Sequence, residues 1–212
     1  MHLAHLDDPV ASLRRPSAQD PWRILISGCL MGLPVGVDGT SYGADMPADH
    51  WLRTPLVRLV PFCPEDTGIG TPRPMPDLDG GDGRDVLAGR ARVLGPDGED
   101  LTAGMLTGAR AMARRALEER VDLALLMDRS AACGTQVVSL GCRFVEPVRY
   151  RRGVGVAAAA LLEAGIPVVA QRDHRTLGLL RAALHPSFTP DPTALDHHRH
   201  PWVLANLPDP AV

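Results

Sequence analysis

Three of the four cysteines follow apolar runs. RILIS (23–27) is closed by Gly28 and Cys29, LVRLVPF (56–62) by Cys63, and DLALLM (122–127) by the loop DRSAACG, which carries Cys133. Each thiol stands beside glycine or proline, residues that end elements; glycine also lets backbone approach a ligand closely. If the runs are neighbouring parallel strands, the thiols meet at one edge of one sheet and can hold a metal ion or a cluster. A lone free cysteine is most often a small buried hydrophobe. Three at three strand ends make that reading weaker for the set, whereas Cys142, just past a hairpin turn, reads as structural. The local Cys-x-x-Cys pairs of structural zinc are missing. Catalytic zinc with three ligands and soft iron-sulfur chemistry both suit an all-thiolate set. A 4Fe-4S cluster normally takes four cysteines, so three would leave one iron open as a Lewis acid.

The elements that must position these thiols alternate. RILISG, LVRLVPF, DLALLM and IPVVAQ (166–171) read as buried strands. LTAGMLTGARAMARRALEERV repeats its apolar residues at helical spacing, and GVAAAALLEAG and HRTLGLLRAAL are further helices. Such alternation predicts an α/β fold, one Rossmann-like domain with a mostly parallel sheet and helices on both faces. In such sheets ligands bind outside the carboxyl ends of the strands. ADMPADHWLRTP suggests a short helix stopped by Pro55, Cys63 to Asp85 a long loop, GRARVLGPDGED a strand with a turn, and TQVVSLGCRFV a hairpin turning at Leu140 and Gly141. The expected organisation is an extension over 1–21, the domain over 22–184, and a Pro- and His-rich surface tail over 185–212. With 212 residues, 45% apolar content and a net charge of -3, the chain suits a single core and argues against general nucleic-acid binding. No run approaches the roughly twenty apolar residues of a membrane span, and the first twenty residues lack signal-peptide order. A cytoplasmic protein with free or metal-bound thiols is expected.

ILISGCLMG followed by VDG, VPFCPE with GTPRP, RSAACG, and GVAAAALLEAGIPV resemble, in that order, the motifs of the DUF523 family, whose better-understood members are thiouracil desulfurases. The likeness runs from about Ile24 to about Gln171. It implies a 4Fe-4S cluster on Cys29, Cys63 and Cys133, with Glu65 and Ser130 in the positions of the family's glutamate and serine. It further implies removal of sulfur from a small thiolated nucleobase or nucleoside, such as 2-thiouracil, to give uracil and hydrogen sulfide. Ala131 and Ala132 stand where the family commonly has Pro-Ser, and Gly36-Val37 where it often has Arg-Tyr, differences that bear on the substrate.

On that reading Glu65 is the acid/base, because exchanging C=S for C=O requires proton transfers that a positioned carboxylate can perform. Ser130 would hydrogen-bond the ring or relay a proton, or else cap a turn. Asp38 could orient the loop of Cys29 or meet the substrate, and Arg73 could bind a carbonyl oxygen or anion. His197, His198 and His200 are read as tail. Two other functions compete: an iron-sulfur or zinc sensor or sulfur carrier using the same cysteines without Glu65, and a dinucleotide-binding enzyme. The second rests on Gly153-x-Gly155-x-x-Ala158 opening a helix, with Asp173 beyond. The arginine-rich segment before those glycines argues against it.

Overall fold

The computed structural model describes residues 1–41, 46–141 and 146–207. Strands β1 (Trp22–Ser27), β2 (Val57–Phe62), β5 (Leu123–Leu126) and β8 (Val168–Ala170) form an all-parallel sheet in the order β2-β1-β5-β8. Strands β3 (Asp77–Asp79), β4 (Arg92–Leu94), β6 (Val137–Leu140) and β7 (Arg149–Arg152) form a second sheet, β4-β3-β6-β7. Its central pair is parallel and its outer pairs antiparallel.

The continuous apolar runs follow from burial of the parallel sheet on both faces. Leu25, Ala124, Leu126 and Val168 join a core with α3 (Thr102–Glu118) and α4 (Val156–Glu163), to which α3 gives Met105, Ala109, Met112 and Ala116. Ile24, Ile26, Leu123, Leu125 and Val169 face the opposite way, onto Leu180 and Leu184 of α5 (His174–Leu184) and onto Leu3. Each fully buried side chain of this kind stabilises the fold by about 1.5–3 kcal/mol. The fold is therefore α/β with helices on both faces. Pro61 is tolerated because β2 is an edge strand. Among the described residues no helix is long and apolar enough to cross a membrane.

Four local expectations change. Residues 46–55 are turns rather than a helix: the His50 ring accepts the Leu52 N–H at 3.3 Å, so a side chain takes the place of a helical carbonyl. Residues 44 and 45, and with them the start of that expected helix, lie outside the described residues, as does Cys142. The long loop after Cys63 holds α1 (Pro64–Gly68), β3 and the start of α2 (Gly83–Leu87), elements too short to show a period. β6 does have an antiparallel partner, the arginine-rich β7, which begins beyond the expected hairpin's end at Val145; residues 142–145 of that hairpin lie outside the described residues. Finally, the segment beyond His185 packs closely. Its α6 (Pro201–Asn206) buries Val203 against Val137, and His197 is 4% exposed.

Candidate active site

Because β2, β1 and β5 are adjacent and parallel, the residues after them emerge together. Cys29 lies in a single tight turn, Gly28–Met31, directly after β1. Cys63 caps α1, its sulfur accepting the Asp66 N–H at 3.4 Å, with Pro64 preset for the first helical position. Cys133 is held by Ser130, whose Oγ accepts the N–H groups of Ala132 and Cys133, both at 3.1 Å. All three cysteines line one cavity of about 290 Å³. Phe62, Met75 and Met127 give it apolar walls, and Glu65 and Ser130 supply polar atoms.

Burial first, and then the negative neighbours, push the thiols upward: Cys29 to about 12, Cys63 in the same direction, and Cys133 well above its ordinary value. Three such thiols become thiolates together only beside a compensating positive centre. Around one zinc ion three sulfurs would stand about 3.8 Å apart, given Zn–S bonds of about 2.3 Å. Among the described residues no three Cys, His, Asp or Glu side chains are gathered closely enough to hold one ion. Soft sulfur donors spread around a cavity suit a group with dimensions of its own, and an iron-sulfur cluster has both the softness and the size.

Glu65 is 8% exposed, and both of its oxygens are engaged. Arg73 donates to Oε2 from Nε at 3.1 Å and from Nη2 at 2.7 Å, and Ser130 Oγ donates to Oε1 at 3.0 Å. Arg73 also reaches the carbonyls of Val35 at 2.9 Å and Gly70 at 3.1 Å, so it ties the loops after β1 and α1 to the carboxylate. Buried, and one of the residues lining the cavity, Arg73 holds Glu65 in place through these contacts. Ser130 caps the Cys133 loop and also donates to Glu65. Asp38 is not among the cavity's lining residues; it is exposed and accepts the Thr40 N–H at 2.9 Å and the Thr40 hydroxyl at 2.7 Å. It shapes the loop whose Val37 carbonyl accepts the Arg73 N–H at 2.9 Å.

Several site residues escape sequence reasoning. Ser27 lines the cavity and its Oγ accepts the Met127 N–H at 3.0 Å, joining β1 to the end of β5 at the site. Asp128 lines the cavity, and its Oδ1 gathers the N–H groups of Thr135, Gln136 and Val137 at 2.9, 3.3 and 3.3 Å. Its Oδ2 bonds His197 Nδ1, so a histidine expected in a surface tail is buried behind the site loop. Arg129, at φ +63° in the left-handed region, lies over the rings of Tyr150 at 4.7 Å and Trp202 at 5.1 Å. The only sequence signal for these contacts is the unusual density of His and aromatic residues between 197 and 202.

Glycines decide how closely the site's supports approach. A Cβ at Gly108 of α3 would stand 1.8 Å from the Pro64 carbonyl oxygen, so α1 lies backbone to backbone on α3. At Gly155 a Cβ would fall 2.4 Å from the Ala132 carbonyl. The first amides of α4 donate to that loop, Val156 to Ala131 at 2.9 Å and Ala157 to Ala132 at 2.9 Å. The helix start that echoed a dinucleotide fingerprint is thus covered by the Cys133 loop, and β7 before it is an antiparallel strand of the other sheet. The dinucleotide reading fails on both counts.

The model of the 2-thiouracil desulfurase family matches residues 24–173. YbbK, an uncharacterized protein of Bacillus subtilis (strain 168), is 31% identical over 154 residues, 71% of this chain and 96% of YbbK. Among solved structures, the 4Fe-4S-dependent thiouracil desulfidase TudS is 30% identical, with a TM-score of 0.56, over 71% of this chain and 91% of that one. The order of the motifs, the three cysteines around one cavity and the family match agree: the chain belongs to the 2-thiouracil desulfurase family.

Proposed function

We propose that this protein is a 4Fe-4S-dependent desulfurase that converts a thiolated pyrimidine such as 2-thiouracil, as free base or nucleoside, to uracil and hydrogen sulfide. The observation that carries the reading is the meeting of Cys29, Cys63, Cys133 and Glu65 around one cavity. Cys29, Cys63 and Cys133 would hold the cluster, which when bound supplies an open iron as Lewis acid for sulfur. Phe62, Met75 and Met127 exclude bulk water and pack against a flat ring. Glu65 takes a proton from the attacking water and returns one to the leaving sulfur, so that C=S and H2O become C=O and H2S without oxidation or reduction of the base. Arg73 holds the Oε2 side of the carboxylate, leaving Oε1, shared with Ser130, as the oxygen that moves protons. Ser130 keeps Glu65 and the Cys133 loop in register. Free thiols and an oxygen-sensitive group fit a reducing cytoplasm.

The test is iron and acid-labile sulfide per chain after anaerobic reconstitution, with sulfide release followed on addition of 2-thiouracil. About four of each per chain with turnover is expected. Cys133→Ser should lose the cluster, whereas Glu65→Ala should keep it and lose about 100- to 10,000-fold in rate. A loaded cluster with no desulfuration of any thiolated pyrimidine would favour a sensor or carrier, and full activity in Glu65→Ala would remove the acid/base assignment.

A further inference from the structure

A second cavity, of about 760 Å³, lies on the other side of the loop that carries Cys133. Its floor includes Thr135, Gln136 and Val137, the three residues whose amides Asp128 gathers. Arg84, Arg90, Arg151 and Arg152 line it, against two carboxylates, Asp82 and Asp85. Both carboxylates are already occupied. Asp82 caps α2 through the Arg84 N–H at 2.8 Å and also accepts the Val154 N–H at 3.2 Å. Asp85 accepts the Asp82 N–H at 3.1 Å and pairs with Arg90 at 2.8 Å. Arg84 has only a 3.5 Å contact with Asp82, and its side chain is 55% exposed. The cleft therefore carries surplus positive charge.

The cleft is also short of hydrogen-bond partners. Thr135 Oγ1, Arg151 Nε and His198 Nδ1 are buried side-chain atoms with no partner among the described residues, and all three belong to residues lining this cavity. His2 and His5 complete the wall, with ring centroids 5.0 Å apart. Buried polar groups are nearly always paired, so three unpaired atoms around one cationic cavity indicate a polar ligand that satisfies them. We propose that this cleft binds a small phosphorylated ligand. Guanidinium groups arriving from α2 and β7, together with a hydroxyl, match the several acceptor oxygens of a phosphoryl group better than the two of a carboxylate. The volume lies in the range of small-molecule sites, and the arginines gather around one open cleft rather than along a stripe on which nucleic acid would run. A ligand seated here touches the loop of Ser130 and Cys133 from behind.

The experiment is calorimetric titration of the full-length chain with inorganic pyrophosphate and with uridine monophosphate, at low and moderate salt. Saturable 1:1 binding is expected, weakened at least tenfold by Arg151→Gln and by Arg84→Gln, and retained in Cys133→Ser. Arg84 is exposed, so its variant keeps the wild-type melting temperature and decides the matter if Arg151→Gln unfolds. Tighter binding of pyrophosphate marks an inorganic phosphate site; tighter binding of the nucleotide marks a nucleotide site. The proposal is overturned by absence of saturable binding, by wild-type affinity in both arginine variants, by displacement of the bound nucleotide with 2-thiouracil, or by affinity that climbs with the length of a single-stranded oligonucleotide.

Discussion

Glu65 owes its place to two residues that the chain brings from different directions, Arg73 from the loop after α1 and Ser130 from the loop after β5. The pair Arg73–Glu65 is buried on both sides, with side-chain exposures of 3% and 10%. Removing one partner of such a pair strands the other charge away from water. Arg73→Gln is therefore expected to lower unfolding free energy by about 3–5 kcal/mol, read from urea melts, and to lower activity through a misplaced Glu65. Unchanged stability would show that the guanidinium is not needed to hold the loops. The cysteines, Glu65 and Ser130 were legible because each sits in a short motif of distinctive residue types. Arg73 was legible as a candidate while its contact with Glu65 was not, because hydrogen-bond partners spread over residues 35 to 71 leave no local pattern.

Helix α1 is five residues long, below the length at which hydrophobic periodicity registers, yet it carries Cys63 and Glu65. What places it is the seam of Gly68, Gly104 and Gly108, where backbone meets backbone. Gly108→Ala puts a methyl against the Pro64 carbonyl, so a loss of about 1–3 kcal/mol and a displaced α1 are expected, the latter visible as reduced iron occupancy after reconstitution. Full occupancy with wild-type stability would mean that the helices can separate without consequence. The C-terminal segment is anchored similarly, by His197 between Asp128 and Asp173. His197→Ala leaves an Asp128 oxygen without its partner and is expected to cost about 1–3 kcal/mol. It should also speed proteolysis within 186–207. Helix α3 was readable from its 3.6-residue period; the role of Gly104 and Gly108 within it shows only where α1 lies across them.

Across the whole molecule, buried titratable groups set the acid response. His2 is held down to about 4, chiefly by burial and then by the charges of His5 and Arg84, and His198 is held down to about 4, chiefly by burial. Their unfolded forms take up protons below about 6.5 while the folded forms do not, so their contribution is intact above 6.5 and is lost as pH falls toward 4. Asp173 has the opposite sign. Burial raises it to about 6, so the folded state binds the proton more tightly, and its contribution is present at low pH and lost as pH rises from about 4 through 6. Net loss of stability is expected between pH 6.5 and 4, with Asp173 offsetting part of it by at most about 3 kcal/mol. His2→Gln should flatten that loss and Asp173→Asn should steepen it, both readable as urea midpoints across pH. Parallel behaviour of the two variants would refute the assignment of signs.

The sequence by itself determined the α/β class, the four parallel strands with their helices, and the candidates that line the cavity, Cys29, Cys63, Cys133, Glu65 and Ser130 among them. Those features live in local patterns: apolar runs buried on two faces, a 3.6-residue period, and short motifs at strand ends. Only the tertiary structure decided that Arg73 meets Glu65 and the loop after β1, that Gly155 seats the Cys133 loop, and that His197 stands behind Asp128. Each of these depends on groups apart along the chain that meet only when the loops at the ends of parallel strands come into contact with one another, with a helix start or with the C-terminal segment. Spacing along a sequence carries no record of such meetings, because the forces that enforce them, desolvation and hydrogen-bond satisfaction, act through space once the core has closed.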